Sequence, residues 1–175
     1  GKCGRIENIA TISREAINPG DFPEEIFDHY SVPAFDEGCL PKSETGRQIK
    51  SNKFVVPPEA VLLCKLNPRI PRVWLPAIDG KRRPVCSTEF LVAVPKLGFS
   101  REYLLGLFSS GTFLKTFASL VTGTSGSHQR VKPEYLLAVE IVIPSKGQVE
   151  NYTRVGRPLL ERVALNIEES RILAA

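Results

Sequence analysis

Residues 53–95, "KFVVPPEAVLLCKLNPRIPRVWLPAIDGKRRPVCSTEFLVAVP", set short runs of β-branched, aromatic and leucine residues against breaks made of proline and glycine. The runs "KFVV" (53–56), "AVLLCKL" (60–66), "RVWLPAI" (72–78) and "STEFLVAV" (87–94) read as strands. The breaks "PPE", "NPRIP" and "DGKRRP" read as turns, because proline has no N–H to give a ladder and glycine accepts the backbone angles of tight loops. Short connections join antiparallel neighbours, so the stretch predicts a largely antiparallel sheet with basic loops.

Downstream of Pro95 the period changes. Tyr103, Leu104, Leu107 and Phe108 recur at helical spacing behind Ser100, and Phe113, Leu114, Phe117 and Leu120 do so behind Ser109 or Ser110, which predicts two helices. The segment "LVTGTSGSHQRVKPEYL" (120–136) is a polar loop followed by a helical turn at Pro133 to Leu137, and "VEIVIP" (139–144) reads as a short buried strand. Ser145 and Gln148 have the spacing of a capping box, and Tyr152, Val155, Leu159, Val163 and Ile167 continue as the stripe of a long amphipathic helix. Pro158 should kink that helix or divide it, since its ring removes one intrahelical hydrogen bond. The stripe needs a cover, which is either a partner or the chain's own domain. Upstream, "SVPAFDEGCLPKSETG" (31–46) predicts turns rather than a long element. The expectation is an α+β fold with a mixed, largely antiparallel sheet, flanking helices and a long C-terminal helix, divided into a domain at 1–144 and a helix at 145–175.

With 175 residues, 42% of them apolar, the chain can bury the core of one domain plus an appended element. No apolar run approaches the roughly 18 residues of a membrane span, and the start lacks the pattern of a secretory signal, so a soluble, cytoplasmic protein is expected. Cys3, Cys39, Cys64 and Cys86 are widely spaced, with no C-x-x-C pair and no histidine at ligand spacing, which predicts reduced thiols and no metal site. The chain opens Gly1-Lys2-Cys3 and contains no methionine, as a piece of a longer polypeptide would.

Nothing in the chain reads as catalytic. G-x-S-x-G, H-E-x-x-H, P-loop and dinucleotide motifs are absent, and His29 and His128 have no evident spacing to a nucleophile. No cofactor is expected. The charge distribution says more: residues 1–41 hold three basic and eight acidic side chains, a net of 3 − 8 = −5, whereas residues 42–83 hold ten basic and three acidic ones, a net of 10 − 3 = +7. Such a segment suits loops that reach a phosphate backbone and release its counterions, and it equally suits an ordinary solvated face. In the polar loop, Gln129 and Arg130 are side-chain types that read adenine and guanine edges, Thr124, Ser125, Ser127 and His128 supply short donors, and Gly123 and Gly126 let backbone approach a ligand. A helix cap followed by a plain connector explains the same glycines.

Taken in order, "YSVPAFDEG" (30–38), "LPKSETGRQIKSNKFVVPPEAVLLCKLNPRIPRVW" (40–74), "CSTEFLVAVP" (86–95), "TGTSGSHQRVKPEYLLAVEIVIP" (122–144) and the terminal helix resemble one target recognition domain plus spacer helix of a type I restriction-modification specificity subunit. The most specific parts are "LNPRI" followed by "STEF", then "TGTSGSHQRV" leading into "EIVIP". The resemblance implies a non-catalytic reader of one half of a split double-stranded DNA target, with long antiparallel helices acting as a ruler. Its partners would be a methyltransferase (modification) subunit docked on those helices, an ATP-driven restriction subunit in the assembled complex, and a second recognition domain or another copy met through the C-terminal helix. This chain departs from the full pattern in having one domain and one helix. Carried over, the DNA-facing candidates are the loop with Lys65, Asn67 and Arg69 and the loop Thr122 to Arg130, with Arg69, Gln129 and Arg130 foremost. Lys42, Arg47, Lys50, Arg72, Arg82 and Arg83 would contact the DNA backbone, and "STEF" would be structural, with Phe90 in the core and Glu89 orienting a neighbouring basic residue. Two other readings stay open: a recognition domain from a fused methyltransferase-endonuclease, and a protein-interaction module whose basic loops meet an acidic surface.

Overall fold

In the computed structural model, which describes residues 1–122 and 129–173, the run 60–66 becomes strand β7 (Val61–Cys64), and all four of its side chains are buried. Antiparallel to it lie β8 (Val73–Trp74) and β10 (Phe90–Pro95), and β2 (Ala10–Ser13) adds to the far side of β10, so the strand order is β2-β10-β7-β8. Successive side chains of a strand point to opposite faces. Val61, Leu63, Leu91 and Ala93 therefore enter one core, and Leu62, Cys64, Phe90 and Val92 enter another. Coverage on both faces is why β7 reads as an unbroken apolar run rather than an alternating one.

The first core is roofed by α2 (Arg101–Ser109), α3 (Gly111–Ser119) and α4 (Pro133–Leu137), which bring in Leu104, Phe108, Phe113, Phe117 and Leu136. Both predicted starts are real caps. Ser100 accepts the N–H of Tyr103 at 3.2 Å and Ser110 that of Phe113 at 3.3 Å. The second core centres on Trp74, which meets Tyr30 at 4.8 Å, Phe35 at 5.5 Å and Phe90 at 6.1 Å between ring centres, all edge to face.

A second sheet comes largely from the first third of the chain. It contains β3 (Ala16–Ile17), β4 (Ile26–Tyr30), β5 (Lys42–Thr45), β6 (Lys53–Val55) and β9 (Arg83–Cys86), in the order β3-β6-β9-β4-β5, and β4 with β9 is its parallel pair. Here the structure corrects the sequence reading twice. The predicted strands do not share one sheet, and the supposed basic turn "DGKRRP" ends inside β9. Ser31 caps a short helix α1 (Val32–Asp36) where only turns were expected. Two further ribbons complete the topology: β11 (Val121–Thr122) with β12 (Arg130–Val131), and β1 (Lys2–Arg5) with β13 (Glu140–Ile143). The predicted buried strand at "VEIVIP" is thus half-exposed, because among the described residues β13 pairs only with β1 and alternates, with Ile141 and Ile143 toward the core and Val142 toward solvent.

The chain ends in α5 (Lys146–Leu173), opened by the predicted box, in which the Ser145 N–H reaches Gln148 Oε1 at 2.8 Å. Pro158 does not divide it. The helix runs unbroken through the proline, which sits on an exposed face where water can take the Arg154 carbonyl that loses its donor. Its first half docks on α2: Val149 is buried, Thr153 meets Ser100 at 2.6 Å, and Arg157 donates to Glu102 at 2.8 Å. The side facing the domain is Val149, Thr153, Gly156, Leu160, Ala164 and Ile167, whereas Val155, Leu159 and Val163 of the predicted stripe are exposed. Among the described residues no helix is long and apolar enough to cross a membrane.

Candidate nucleic-acid interface

Beyond Cys64 the β7 strand continues as a paired loop. The Lys65 N–H donates to the Glu89 carbonyl at 2.9 Å, and the Lys65 carbonyl accepts the Val131 N–H at 3.1 Å. Leu66 bridges Arg130 in antiparallel fashion, and the Asn67 N–H donates to the Gln129 carbonyl at 3.0 Å. The loop then turns tightly: the Ile70 N–H returns to the Asn67 carbonyl at 2.9 Å, with Pro68 at the second position, and the Cys64 N–H closes the base on the Arg72 carbonyl at 3.0 Å. Asn67 takes φ 48°, a left-handed conformation that asparagine tolerates better than most residues. Arg69 and Ile70 stand exposed at the tip.

Two predicted loops, more than fifty residues apart in sequence, are thereby sewn into one surface carrying Lys65, Arg69, Gln129 and Arg130, with Asn67 turned so that its Oδ1 is buried. Thr124, Ser125, Ser127 and His128, between β11 and β12, lie outside the described residues. Glu89 makes the anticipated contact. It takes Nε of Arg130 at 3.0 Å on one carboxylate oxygen and Nη2 at 2.8 Å on the other. Its own N–H is held by Ser87 Oγ at 3.2 Å, and Phe90 beside it is fully buried. The carboxylate beside it holds the Arg130 guanidinium above its already high ordinary pKa.

The remaining cations are placed differently. Arg83 leaves its supposed loop for β9, donates through Nε to Glu25 at 2.9 Å, and lies over the rings of Phe22 (4.4 Å) and Phe27 (5.1 Å). Arg82 approaches Asp28, Lys42 meets Glu37 at 2.8 Å, and Arg47 pairs with Glu24. Arg72 is the clearest revision. Its side chain is only 10% exposed and bidentate on Asp36, whose carboxyl is held below the usual range by those hydrogen bonds, so it is committed to the fold and is no longer a backbone-contact candidate. Lys53 is buried too, with its ammonium on Ser51 and Asn52. Five of the eight acids in residues 1–41 thus neutralise the basic segment. The opposite charges of the two segments were the available signal for this pairing. Lys50 sets its ammonium on the Arg47 carbonyl at 2.7 Å, and Lys65 and Arg69 have no ion-pair partner among the described residues. Among those residues, no group of three His, Cys, Asp or Glu side chains could hold a metal ion.

The chain was compared with known proteins. No family model matches it, and no curated protein does. Solved structures do. A chain from a structure on complex assembly and conformational transition of the type I R-M system matches at TM-score 0.72 and 22% identity, over 99% of this chain and 45% of that one. The HsdS subunit from Thermoanaerobacter tengcongensis matches at TM-score 0.69 and 20% identity, over 98% of this chain and 44% of that one. This chain has the fold of type I S subunits. The type I restriction-modification S subunit from M. genitalium shares it at TM-score 0.59 and 14% identity, again over 98% of this chain and 43% of that one. The chain spans less than half the length of each of these three chains, and the match includes α5 as well as the sheets.

Proposed function

We propose that this chain reads one half of a bipartite double-stranded DNA target as a non-catalytic specificity module of a type I restriction-modification complex. The joined surface of residues 65–70 and 129–131 carries the proposal. It gathers arginine, lysine and glutamine side chains on a rigid, doubly hydrogen-bonded loop pair, the donor types suited to base edges and phosphates. In this reading residues 1–144 are the recognition domain and residues 145–175 the spacer helix. The exposed row Val155, Leu159 and Val163 meets the corresponding helix of a second recognition domain or another copy. The modification subunit docks on that helix pair and the restriction subunit joins through the assembled complex, so methylation and cleavage belong to the partners. Lys65 and Arg69, with Arg130, do the reading, and Lys50 adds a phosphate contact.

Selection from a random duplex library tests this. The expected result is enrichment of one short half-site, with affinity that falls as salt rises. Enrichment of nothing, together with equal indifference to all duplexes at low salt, would sink the proposal and leave the protein-interaction module.

A further inference from the structure

We infer that Glu89 is a specificity filter: its carboxylate withholds the Arg130 guanidinium from phosphates, weakening attachment to arbitrary duplex more than attachment to the preferred site. The inference rests on the DNA-reading proposal and adds a residue that acts through another. Residues 65–70, 87–90 and 129–131 build this surface, and Glu89 is their sole acidic side chain. That one acid is placed on the residue best suited to read guanine.

The geometry says what it blocks. A guanidinium meets a phosphate or a guanine edge bidentately through two parallel N–H groups, and Glu89 occupies the Nε and Nη2 pair. A phosphate seeking that edge must displace a carboxylate and then sit beside its negative charge. The O6 and N7 edge of guanine carries no net charge, so a base approaching the same arginine meets weaker repulsion than a phosphate does. The acid is also fixed in place, since its carbonyl holds the Lys65 N–H, its N–H is held by Ser87, and the next side chain is buried. With Glu89 25% exposed and Arg130 40% exposed, the pair is partly shielded from water, where charge repulsion is screened less than at an open surface.

The test measures Glu89→Gln, Arg130→Ala and the unaltered chain by fluorescence anisotropy over a range of salt, on a scrambled 30-base-pair duplex and on the duplex that the unaltered chain enriches from a random library, with thermal melts to confirm folding. Glu89→Gln should bind the scrambled duplex several-fold tighter, with a log–log salt slope steeper by about 0.9, the value of one extra phosphate contact. Its ratio of selected to scrambled affinity should fall. Arg130→Ala should lose the site preference and leave scrambled-duplex affinity nearly unchanged, because the filter already withholds that arginine. Unchanged affinity and slope in Glu89→Gln, or an Arg130→Ala loss equal on both duplexes, overturns the filter and leaves Glu89 as a simple prop. Failure of the unaltered chain to bind either duplex removes the DNA-reading proposal itself, so the two failures are distinguishable.

Discussion

Arg72 gives both its Nε and its Nη2 hydrogens to Asp36, at 2.7 and 2.9 Å, across thirty-six residues of chain. The pair ties the C-terminal end of α1 to the base of the candidate DNA-reading loop. Because Asp36 remains half exposed, water screens part of the interaction. Arg72→Ala should cost about 2 kcal/mol of stability in urea unfolding, and Arg72→Lys should recover little of it, since an ammonium cannot make the planar two-bond contact. A loss of duplex affinity in a fully folded Arg72→Ala protein would instead restore the arginine to the DNA surface.

Gly106 and Tyr152 fix how α5 lies on α2. A methyl group at Gly106 would fall 1.9 Å from the Tyr152 hydroxyl, so Gly106→Ala must push the ring aside, at about 1–3 kcal/mol. In a Tyr152→Ala background the sign should reverse. The added methyl then fills open space, and alanine is the better helix former by up to about 1 kcal/mol. A double-mutant cycle read by denaturant titration checks this, and additive costs would refute the packing relationship.

Arg157 offsets the burial of Glu102, whose side chain is only 6% exposed. Burial pushes the Glu102 carboxyl up, but the Arg157 hydrogen bond leads the effects that bring it below its ordinary value. Its stabilising contribution is therefore complete above the usual carboxylate range and fades as pH falls through the lowered folded value. Arg157→Ala should cost about 2–3 kcal/mol at neutral pH, and the cost should shrink as pH falls, because burial then raises the pKa of an unpaired carboxylate that sheds its penalty by taking a proton. Adding Glu102→Gln to that variant should return part of the stability. A cost that is the same at neutral and at acid pH, measured by urea unfolding across that range, would contradict this account.

His29 supplies a second pH dependence. Burial holds it below 6.5, outweighing the Glu44 carboxylate 2.6 Å from Nδ1, while Lys53 and Lys42 also lower it. The unfolded chain therefore binds the proton more readily, so stability is complete above 6.5 and is lost as pH falls from there through the lowered folded value. Melting temperature should drop between about pH 7.5 and pH 5.5, and His29→Gln should flatten that drop. A dependence that survives the substitution assigns the effect to another group.

Local structure was legible wherever one side-chain periodicity dominated. The strands at 61–64 and 90–95, the capped helices behind Ser100 and Ser110, the turn at Pro133 and the box at Ser145 all follow from neighbours within a few residues. The short strands of the first third, and Arg83–Cys86 among basic residues, were not legible. Two- to five-residue strands carry little periodicity of their own and are made by their partners. The amphipathic stripe was visible, but which side of α5 meets the domain depended on Gly106 and Glu102 of another helix.

Composition and spacing by themselves determined that the chain has short, largely antiparallel strands, capped helices and a long terminal helix, because side-chain alternation, proline and capping chemistry act over one or two turns of backbone. Tertiary structure alone decided the charge map. Arg47, Arg72, Arg82 and Arg83 are neutralised by acids brought from residues 1–41, and Arg130 meets Glu89 because β12 pairs with the end of β7. Charge acts through distance in space, and that distance is set by strand pairing between residues far apart in the chain.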